Sequence, residues 1–320
     1  RKYDEILFLG DEIHNFGAQN MSGVFESRAT ARLGLSATPE RFRDPEGTSR
    51  IFNFFGQILD PVIEISDAIS LKRLVPYQYN FEVAYLSDKE QGRWDGYTKK
   101  IISIFSRFGL SREEKDESAA LLLIQRARIA KKAEMKTRIG LDLLLRNFED
   151  GQRWLVFLED TEEVEHFSRT LMERGLRSMI YEGRTSREKR DQVVDHLRKT
   201  GGIVLSMRCL DEGVDIPEIT HAIILASSQN PRQFIQRRGR VLRCAGDDKL
   251  RAFIWDVLCL PSIAAGDATK ALIFSELARA HQFAKNAENS SVGLLLEAML
   301  ADYGLSIEDC LAVGQEDVKL

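Results

Sequence analysis

The sequence contains few cysteines, and they lie far apart. The four are Cys209, Cys244, Cys259 and Cys310. No pair has the C-x-x-C spacing of a zinc or redox site, and the spacing gives no local basis for an iron–sulfur cluster. We therefore predict reduced, mostly buried thiols, which are typical of a cytosolic protein.

Long apolar runs are also absent. No stretch approaches the roughly 20 apolar residues that a membrane-spanning helix needs, and no signal peptide opens the chain. Together with the reduced cysteines, this predicts a cytoplasmic protein with no membrane partner. The chain begins at Arg1 rather than at a methionine, so we expect it to be part of a longer polypeptide.

An excess of positive charge is missing as well. Lys and Arg number 45 and Asp and Glu 49, which gives a net charge of −4. This balance does not point to a nucleic-acid-binding protein, but it does not exclude one, because a local basic groove decides such binding. With 320 residues, 43% of them apolar, the chain is long enough for a large core and two domains.

Apolar runs typical of strands alternate with helical segments at both ends of the chain, which indicates an α/β fold around a parallel sheet. In the first part we predict strands at residues 5–9 and 32–35, a short helix at 22–31, and short strands within 51–86. Residues 87–147 have helical periodicity. One predicted apolar stripe there contains Leu121, Ile124, Ala127, Lys131 and Met135.

After a linker at residues 149–153, a second α/β segment begins. Strands are predicted at 154–159, 178–183, 202–207, 221–226 and 252–258, and helices at 161–175, 186–199 and 230–243. Thr161 is the expected cap of the first of these helices, and Thr185 and Glu188 have the spacing of a capping box for the second. The tail from residue 268 is predicted to be mostly helical.

Two adjacent carboxylates follow the first predicted strand. Asp11 and Glu12 end an apolar run, and His14 lies two residues further on. In phosphoryl transfer to water, an Asp at a strand end holds Mg²⁺ through coordinated water, and a neighbouring carboxylate orients or deprotonates the attacking water. A surface Asp–Glu pair alone carries no such meaning, but the preceding strand and the following His favour the functional interpretation.

Small hydroxyl residues follow the next predicted strand. Ser36, Ala37 and Thr38 come just before Pro39, where their hydroxyls can hydrogen-bond to the loop that carries the carboxylates. The alternative is an ordinary Ser/Thr turn before a proline, which would be the better interpretation if the tripeptide stood alone.

A third segment, between two strands of the second part, has groups that suit a nucleotide. Gly213 permits a close backbone approach to a ligand, and Asp215 can accept a hydrogen bond from a ribose hydroxyl. Ser206, at the end of the preceding strand, is of the type that donates to a phosphate oxygen. The alternative is a loop without a ligand.

The fourth segment, QFIQRRGRVLR, concentrates positive charge. Gln236, Arg240 and Arg243 lie on it, with Gly239 beside the first of these arginines. A basic helix is most often a solvated face. Two arginines three residues apart also suit the charge that develops on a γ-phosphate.

The order and spacing of these four segments resemble the later motifs of superfamily 2 helicases. DEIH resembles motif II, SAT motif III, LDEGVDIP motif V and QRRGRVLR motif VI, and WLVFLE falls where motif IV lies. The resemblance runs from about residue 4 to residue 258. GLSATPER and RARIAKKAEMK are most similar to the DEAH-type group of type III restriction subunits and excision-repair translocases.

The resemblance implies two RecA-like domains with ATP and Mg²⁺ in the cleft between them. The α/β chain would contain the C-terminal part of the first domain (1–86), a helical linker (87–150), the complete second domain (151–260) and a helical tail (261–320). The function implied is an ATP-dependent helicase or translocase.

The resemblance also assigns roles to residues. Asp11 would serve Mg²⁺ and Glu12 the attacking water, while His14 and the segment 36–38 would couple the two halves. Gly213 and Asp215 would approach the nucleotide. Gln236, Arg240 and Arg243 would face the phosphates, with the two arginines as candidate arginine fingers.

Motif I, the phosphate-cradling loop G-x-x-x-x-G-K-[ST], should precede DEIH, and the sequence contains no match to it. EMKT and LRKT have the Lys-Thr pair without the glycines. We therefore expect this chain to hydrolyse ATP poorly on its own, and an upstream segment or a second chain to supply the loop.

The partner implied by the resemblance is nucleic acid, and the subgroup favours double-stranded DNA. Arg184 and Arg187 open a segment that contains four more basic residues and three acidic ones. Such a local excess can contact phosphates, which give affinity without sequence information. A mixed-charge solvent face is the alternative.

Two other functions remain open. The chain could be a non-enzymatic nucleic-acid-binding module that has lost motif I, or a regulatory protein that engages a partner through its linker and tail. Asp11, Glu12, Arg240 and Arg243 favour the motor, because a binding module has no chemical need for all four at this spacing.

Overall fold

The structure is a computed structural model that describes residues 5–41, 44–106, 112–182, 185–207, 216, 218–226, 239–245, 249–262 and 270–308. In chain order, its strands are β1 (Leu7–Gly10), β2 (Ala31–Gly34), β3 (Tyr77–Tyr85), β4 (Arg153–Phe157), β5 (Ser178–Tyr181), β6 (Gly202–Ser206), β7 (His221–Ile224) and β8 (Ala252–Leu260). The α-helices are α1 (Pro45–Phe55), α2 (Ile65–Ser70), α3 (Asp88–Phe105), α4 (Arg112–Lys131), α5 (Glu134–Asn147), α6 (Thr161–Glu173), α7 (Arg187–Thr200), α8 (Lys270–Ala284) and α9 (Ser291–Asp302). Short 3-10 helices cover Ile13–Asn15 and Gln19–Glu26.

Strands β1 and β2 form a small parallel sheet, in which Gly10 pairs with Gly34. One face of this sheet packs on α1, where the ring of Phe8 lies 5.7 Å from that of Phe54 in an edge-on contact. A Cβ atom added to Gly10 would lie 2.8 Å from the ring of Phe16. The ends of both strands therefore pack tightly against the 3-10 turn that follows β1.

The other strands form a six-stranded sheet in the order β3-β8-β7-β4-β6-β5, and all neighbours are parallel. Helices cover both faces, which explains why the central strands are apolar along their whole length. One face packs on α7, α8 and α9 through residues such as Leu197 and Leu277. The other packs on α5 and α6 through Leu144 and Phe167. The predicted α/β architecture with a parallel sheet is confirmed.

Strand β3 was correctly predicted as a strand but belongs to the larger sheet. It pairs with β8 from Tyr77 opposite Ala252 to Tyr85 opposite Leu260. The change from one sheet to the other therefore lies before Tyr77, and not after residue 86 as the predicted domain limits imply. Sequence alternation identifies a strand but not its partner, and here the partner is about 175 residues away in the chain.

The linker helices pack on the larger sheet, but not through the predicted stripe. Leu121 and Ile124 are 63% and 62% exposed, and the buried residues nearby are small or lie on another face: Ala119, Ile129, Ala130 and Ala133. A break in the helix also separates Met135 from the rest of the predicted stripe, since α4 ends at Lys131 and α5 begins at Glu134.

Several local predictions are also corrected. Residues 51–55 and 65–70 belong to α1 and α2 rather than to strands, and the helix expected at 22–31 is a 3-10 helix that ends at Glu26. Both caps are shifted by one residue. Asp160, not Thr161, caps α6 by accepting from the Glu163 N–H at 3.1 Å, and Ser186, not Thr185, caps α7.

The remaining strand predictions and the helical tail are confirmed within the described residues. Among these residues, no helix is both long enough and apolar enough to cross a membrane.

Candidate functional site

Asp11 and Glu12 follow β1 directly, and both are exposed or nearly so. Glu12 has a left-handed backbone conformation, with φ at 49° and ψ at 48°. For a residue with a side chain this conformation costs about 1–2 kcal/mol, and such strain concentrates at functional sites. The N–H of Glu12 donates to Asp11 Oδ1 at 2.9 Å, which fixes the Asp11 carboxylate beside the turn.

His14 connects this turn to the segment after β2. Its Nδ1 lies 3.2 Å from Glu12 Oε2 and 3.0 Å from Ser36 Oγ, and the side chain is only 2% exposed. One nitrogen thus has two partners: it donates to the carboxylate when it carries a proton, and accepts from the hydroxyl when it does not. The predicted contact between the DEIH loop and the SAT segment is present in this geometry.

The SAT segment is itself ordered by short-range hydrogen bonds. Ser36 Oγ accepts from the Thr38 N–H at 3.2 Å, and the N–H of Ile13 donates to Leu35 O at 3.1 Å. Ala37 lies between the two hydroxyl residues. A change in the position of Glu12 can therefore reach Thr38 through two side chains.

Arg41 is a part of this site that the sequence did not reveal. Its guanidinium donates to the backbone carbonyl of His14, and its Nε lies 2.6 Å from Asp44 Oδ2. Burial would raise the pKa of Asp44, but donors on Gly47 and Arg41 outweigh burial and hold this pKa below its ordinary value. Arg41 follows SATPE directly, yet no local pattern says that it reaches back to the DEIH loop.

The arrangement is suited to a hard cation at Asp11, because an exposed carboxylate at a strand end is the ligand type that Mg²⁺ takes in nucleotide sites. In the described part of the chain, no group of three or more His, Cys, Asp or Glu side chains is placed to hold a metal ion. A magnesium ion at Asp11 would thus take most of its ligands from water and phosphate oxygens.

On the larger sheet, β6 ends at Ser206 and β7 at Ile224, at the same edge. Ser206 is fully buried, and its hydroxyl donates to the carbonyl of Met207. The predicted site residues Gly213, Asp215, Gln236 and Arg184 lie outside the described residues. Arg187 is 89% exposed and lies 4.0 Å from Asp191, as expected of a mixed-charge face as well as of a phosphate contact.

Arg240 and Arg243 lie on a segment with a firmly held backbone. Residues 239–241 are helical. Val241 and Leu242 are buried in the core, and the N–H of Val75 donates to Leu242 O at 2.8 Å. Arg243 forms an isolated antiparallel bridge with Leu74. The side chain of Arg240 is half-buried and that of Arg243 exposed.

The predicted residues thus form two groups on different sheets. Asp11, Glu12, His14, Ser36 and Thr38 are together beside β1 and β2. Arg240 and Arg243 are together beside the larger sheet, on the side that α7 and α8 cover.

Comparisons with known proteins identify similar proteins for parts of this chain. Residues 135–245 match the helicase conserved C-terminal domain family. A DNA 3'-5' translocase, XPB2 of Sulfurisphaera tokodaii, is 25% identical over 255 residues, which cover 74% of this chain and 55% of the translocase. A putative ATP-dependent RNA helicase of Methanocaldococcus jannaschii is 26% identical over 102 residues, 30% of this chain and 13% of the helicase. The chain therefore spans about half the length of the translocase.

Among solved structures, the ATP-dependent type ISP restriction-modification enzyme LlaBIII bound to DNA has a similar fold. The TM-score is 0.52 at 16% identity, and the match covers 93% of this chain and 21% of the enzyme. At this identity the likeness concerns the fold alone. Residues 135–245 are thus similar to the helicase conserved C-terminal domain, and the longer match with the translocase supports the resemblance to superfamily 2 helicases and translocases.

Proposed function

We propose that this chain is the C-terminal part of an ATP-dependent translocase or helicase that moves on DNA. The observation that carries the proposal is the contact of His14 with both Glu12 and Ser36, because it joins a strained carboxylate turn to a hydroxyl segment on the next strand. A nucleic-acid-binding module without catalysis has no use for a carboxylate that is held in this way.

In this proposal Asp11 would hold Mg²⁺ through water, and the bound ion would supply positive charge beside the phosphates of ATP. Glu12 orients the attacking water and takes its proton. The Nδ1 atom of His14 then changes partner between Glu12 and Ser36 as the charge on Glu12 changes. Ser36, Ala37 and Thr38 transmit that change to the other half of the motor.

The second group acts from the larger sheet. Arg240 and Arg243 stabilise the charge that develops on the γ-phosphate, and Gln236 lies with them in the sequence. Gly213 and Asp215 approach the sugar and phosphates of the nucleotide. The basic residues Arg184 and Arg187 contribute to the nucleic-acid path.

An upstream segment or a second chain supplies motif I and covers the small sheet. Leu7 and Leu9 alternate with Phe8, so they face away from α1, and they are 63% and 61% exposed. Leu33, opposite Leu9 in the register, is on the same face. Parallel sheets are covered on both faces in nearly all proteins, so this apolar face suits a segment that packs on it and brings the phosphate loop to Asp11.

The proposed track is double-stranded DNA. Support comes from the relative from S. tokodaii, whose name describes a DNA translocase, and from the basic start of α7. A cytoplasmic location belongs to the same proposal, because the described cysteines, Cys244 and Cys259, are free thiols.

The experiment is to measure DNA-stimulated ATPase activity of the 320-residue chain alone and with the upstream segment joined. We expect ATPase activity only when the upstream segment is joined, and we expect the Glu12→Gln variant of the joined protein to lose it. Glu46→Gln is the matched control, since Glu46 is an 84% exposed carboxylate on α1 whose ion-pair partner is Arg50, at 3.9 Å. Absence of activity in both forms would favour a non-enzymatic nucleic-acid-binding module instead.

A further inference from the structure

A buried lysine lies just after the segment that carries Arg240 and Arg243. Lys249 is 3% exposed and precedes β8 by three residues. Its Nζ donates to the carbonyl of Arg243 at 2.9 Å and also to the carbonyl of Val241. No sequence motif singles out this lysine.

The two carbonyls that Lys249 contacts explain why an ammonium can be buried here. They lie at the C-terminal end of the helical turn 239–241, where backbone carbonyls have no partner within the helix and carry partial negative charge. An ammonium that donates to them satisfies both carbonyls and offsets part of its own desolvation.

The charged form of Lys249 is the main form at neutral pH. Burial lowers its pKa to about 8, and the Cys244 thiol and the Glu218 carboxylate partly oppose that effect. Lys249 also lines a shallow cleft at the start of β4, β7 and β8, together with His221 and Arg251.

The backbone of the arginine segment has further neutral anchors. The N–H of Val75 holds Leu242 O, and the thiol of Cys244 donates to Lys72 O at 3.2 Å. These contacts hold the middle and the end of the segment. The ammonium of Lys249 adds a charged contact at two carbonyls, one of which belongs to Arg243 itself.

We propose that Lys249 is a positioning residue for Arg240 and Arg243: by binding the carbonyls of Val241 and Arg243, it fixes the direction in which the two guanidinium groups leave the backbone. This inference rests on the proposed function, because it concerns the reaction in which those arginines act. Lys249 does not contact the nucleotide in this proposal. It acts only through the backbone of the arginine segment.

The expected effect is on the rate of the chemical step. A displacement of about 1 Å at a catalytic group lowers a rate by up to about 10²-fold. Without the ammonium, the end of the arginine segment should be able to shift by a distance of this order. Binding of ATP involves many other contacts, so its KM should change little.

The test compares three variants in the protein that carries this chain together with motif I. Lys249→Met removes the ammonium, Lys249→Arg keeps a charged double donor, and Lys285→Met is the control for the same substitution at an exposed lysine. We expect Lys249→Met to lower kcat of the DNA-stimulated ATPase by about 10- to 100-fold with KM for ATP within about twofold. Lys249→Arg should recover most of the lost kcat, and Lys285→Met should match the wild type.

Hydrogen exchange on the 320-residue chain gives a second readout that needs no ATPase activity. The amides of residues 241–245 should exchange faster in Lys249→Met than in the wild type, while those of β4 stay unchanged. If Lys249→Met fails to fold, Lys249→Gln, which keeps a neutral donor, takes its place in both measurements. Unchanged exchange in the arginine segment would overturn the inference.

Two further variants separate this inference from the proposed function. If Arg240→Ala and Arg243→Ala leave kcat unchanged, the proposed function fails, and the inference fails with it. If either lowers kcat while Lys249→Met does not, the inference alone is overturned. A fall in kcat that Lys249→Arg does not recover also contradicts it, because a charged donor is then not what the segment needs.

Discussion

Both sheets are parallel, yet within the part of the chain that the structure describes, only the six-stranded one is covered on both faces. In the six-stranded sheet, Val156, Leu205 and Ile223 on the central strands are fully buried. In the small sheet, Leu7 and Leu9 are more than 60% exposed on the face opposite α1. The carboxylates of the candidate site lie on the uncovered sheet and the arginines on the covered one. The arginine half of the proposed reaction site therefore lies on a sheet that is buried on both faces, and the carboxylate half lies on a sheet that is packed on one face.

The ion pairs beside the small sheet are also less buried than those of the larger region. Beside the small sheet, Arg41 and Asp44 are partly exposed, at 22% and 31%. In the larger region, Arg279 is buried and lies 3.1 Å from Asp256 and 2.7 Å from Glu276. Lys136, on linker helix α5, is also buried, and its Nζ donates to Leu225 O.

This buried network joins the linker and the tail to the sheet. Burial would raise the pKa of Glu276, but Arg279 and Lys136 outweigh it and lower this pKa to about 2. The network links α5, α8 and β8, so the linker and the tail are structurally part of the larger region. The contrast between the regions can be tested at three levels.

The largest effect is expected from the arginines of the covered region. In the protein that contains motif I, Arg240→Ala and Arg243→Ala should each lower kcat of the ATPase by about 10³-fold. Each variant removes a positive charge that stabilises the negative charge developing on the γ-phosphate. Arg146→Ala is the matched control, since Arg146 is 64% exposed on α5, where it lies 4.0 Å from Glu82 and donates to the carbonyl of Asp142 at 3.2 Å. Far-UV circular dichroism should be unchanged in all three. Wild-type turnover in both test variants would remove the arginine-finger assignment.

A smaller effect, on stability, tests the difference in burial between the sheets. Leu205→Ala, at a fully buried position of β6, should destabilise its region by about 2–5 kcal/mol. Leu9→Ala, at a 61% exposed position of β1, should change local stability by at most about 0.5 kcal/mol. Hydrogen exchange of the amides in each sheet measures the two effects separately.

The same pair of variants can be compared after the upstream segment is joined. The cost of Leu9→Ala should then rise toward that of a buried leucine, while Leu205→Ala keeps its value. An equal cost of both substitutions in the 320-residue chain would mean that the small sheet is as well packed as the large one, contrary to the exposed fractions of Leu7 and Leu9.

In both regions, the sequence predicted where the strands lie better than it predicted which strands pair with each other. Apolar runs located the strands, because a strand buried on both faces has few polar positions. They could not assign β3 to its sheet, since that depends on the distant strand β8. The DEIH and SAT segments were found from residue types at strand ends, and the structure brings them together through His14.

Two residues that donate hydrogen bonds to backbone carbonyls had no sequence signal. Arg41 reaches His14 across 27 residues, and Lys249 caps a turn that is helical only as far as Val241. Capping residues were missed by one position, because Asp, Ser and Thr all occur as caps, although Asp160 and Ser186 are of the more strongly preferred types. The roles of Gly213, Asp215 and Gln236 stay predictions.

The smallest effect concerns how firmly the linker is attached to the covered region. Asp160 caps α6, and its carboxylate lies 2.7 Å from Arg128 Nη2 and 2.9 Å from Lys132 Nζ, at the end of α4. Burial would raise the pKa of Asp160, but the hydrogen bonds from Lys132 and Arg128 outweigh it and lower this pKa to about 2. Asp160→Asn keeps the acceptor for the Glu163 N–H and removes only the charge, so it isolates the ion pairs.

We expect Asp160→Asn to destabilise the protein by about 1–2 kcal/mol at pH 7 in urea denaturation, since one pKa unit corresponds to about 1.4 kcal/mol and the cluster is partly exposed. The folded pKa lies below the ordinary value, so this contribution is present above about pH 4 and is lost as the pH falls toward 2. The difference between wild type and variant should therefore be constant from pH 7 to 5 and smaller at pH 3. Asp191→Asn, at a 71% exposed carboxylate of α7, should show no measurable change at any pH. An Asp160→Asn variant as stable as the wild type at pH 7 would mean that the ion pairs of Asp160 do not help to attach the linker, which leaves the apolar contacts of α5 and the buried contacts of Lys136.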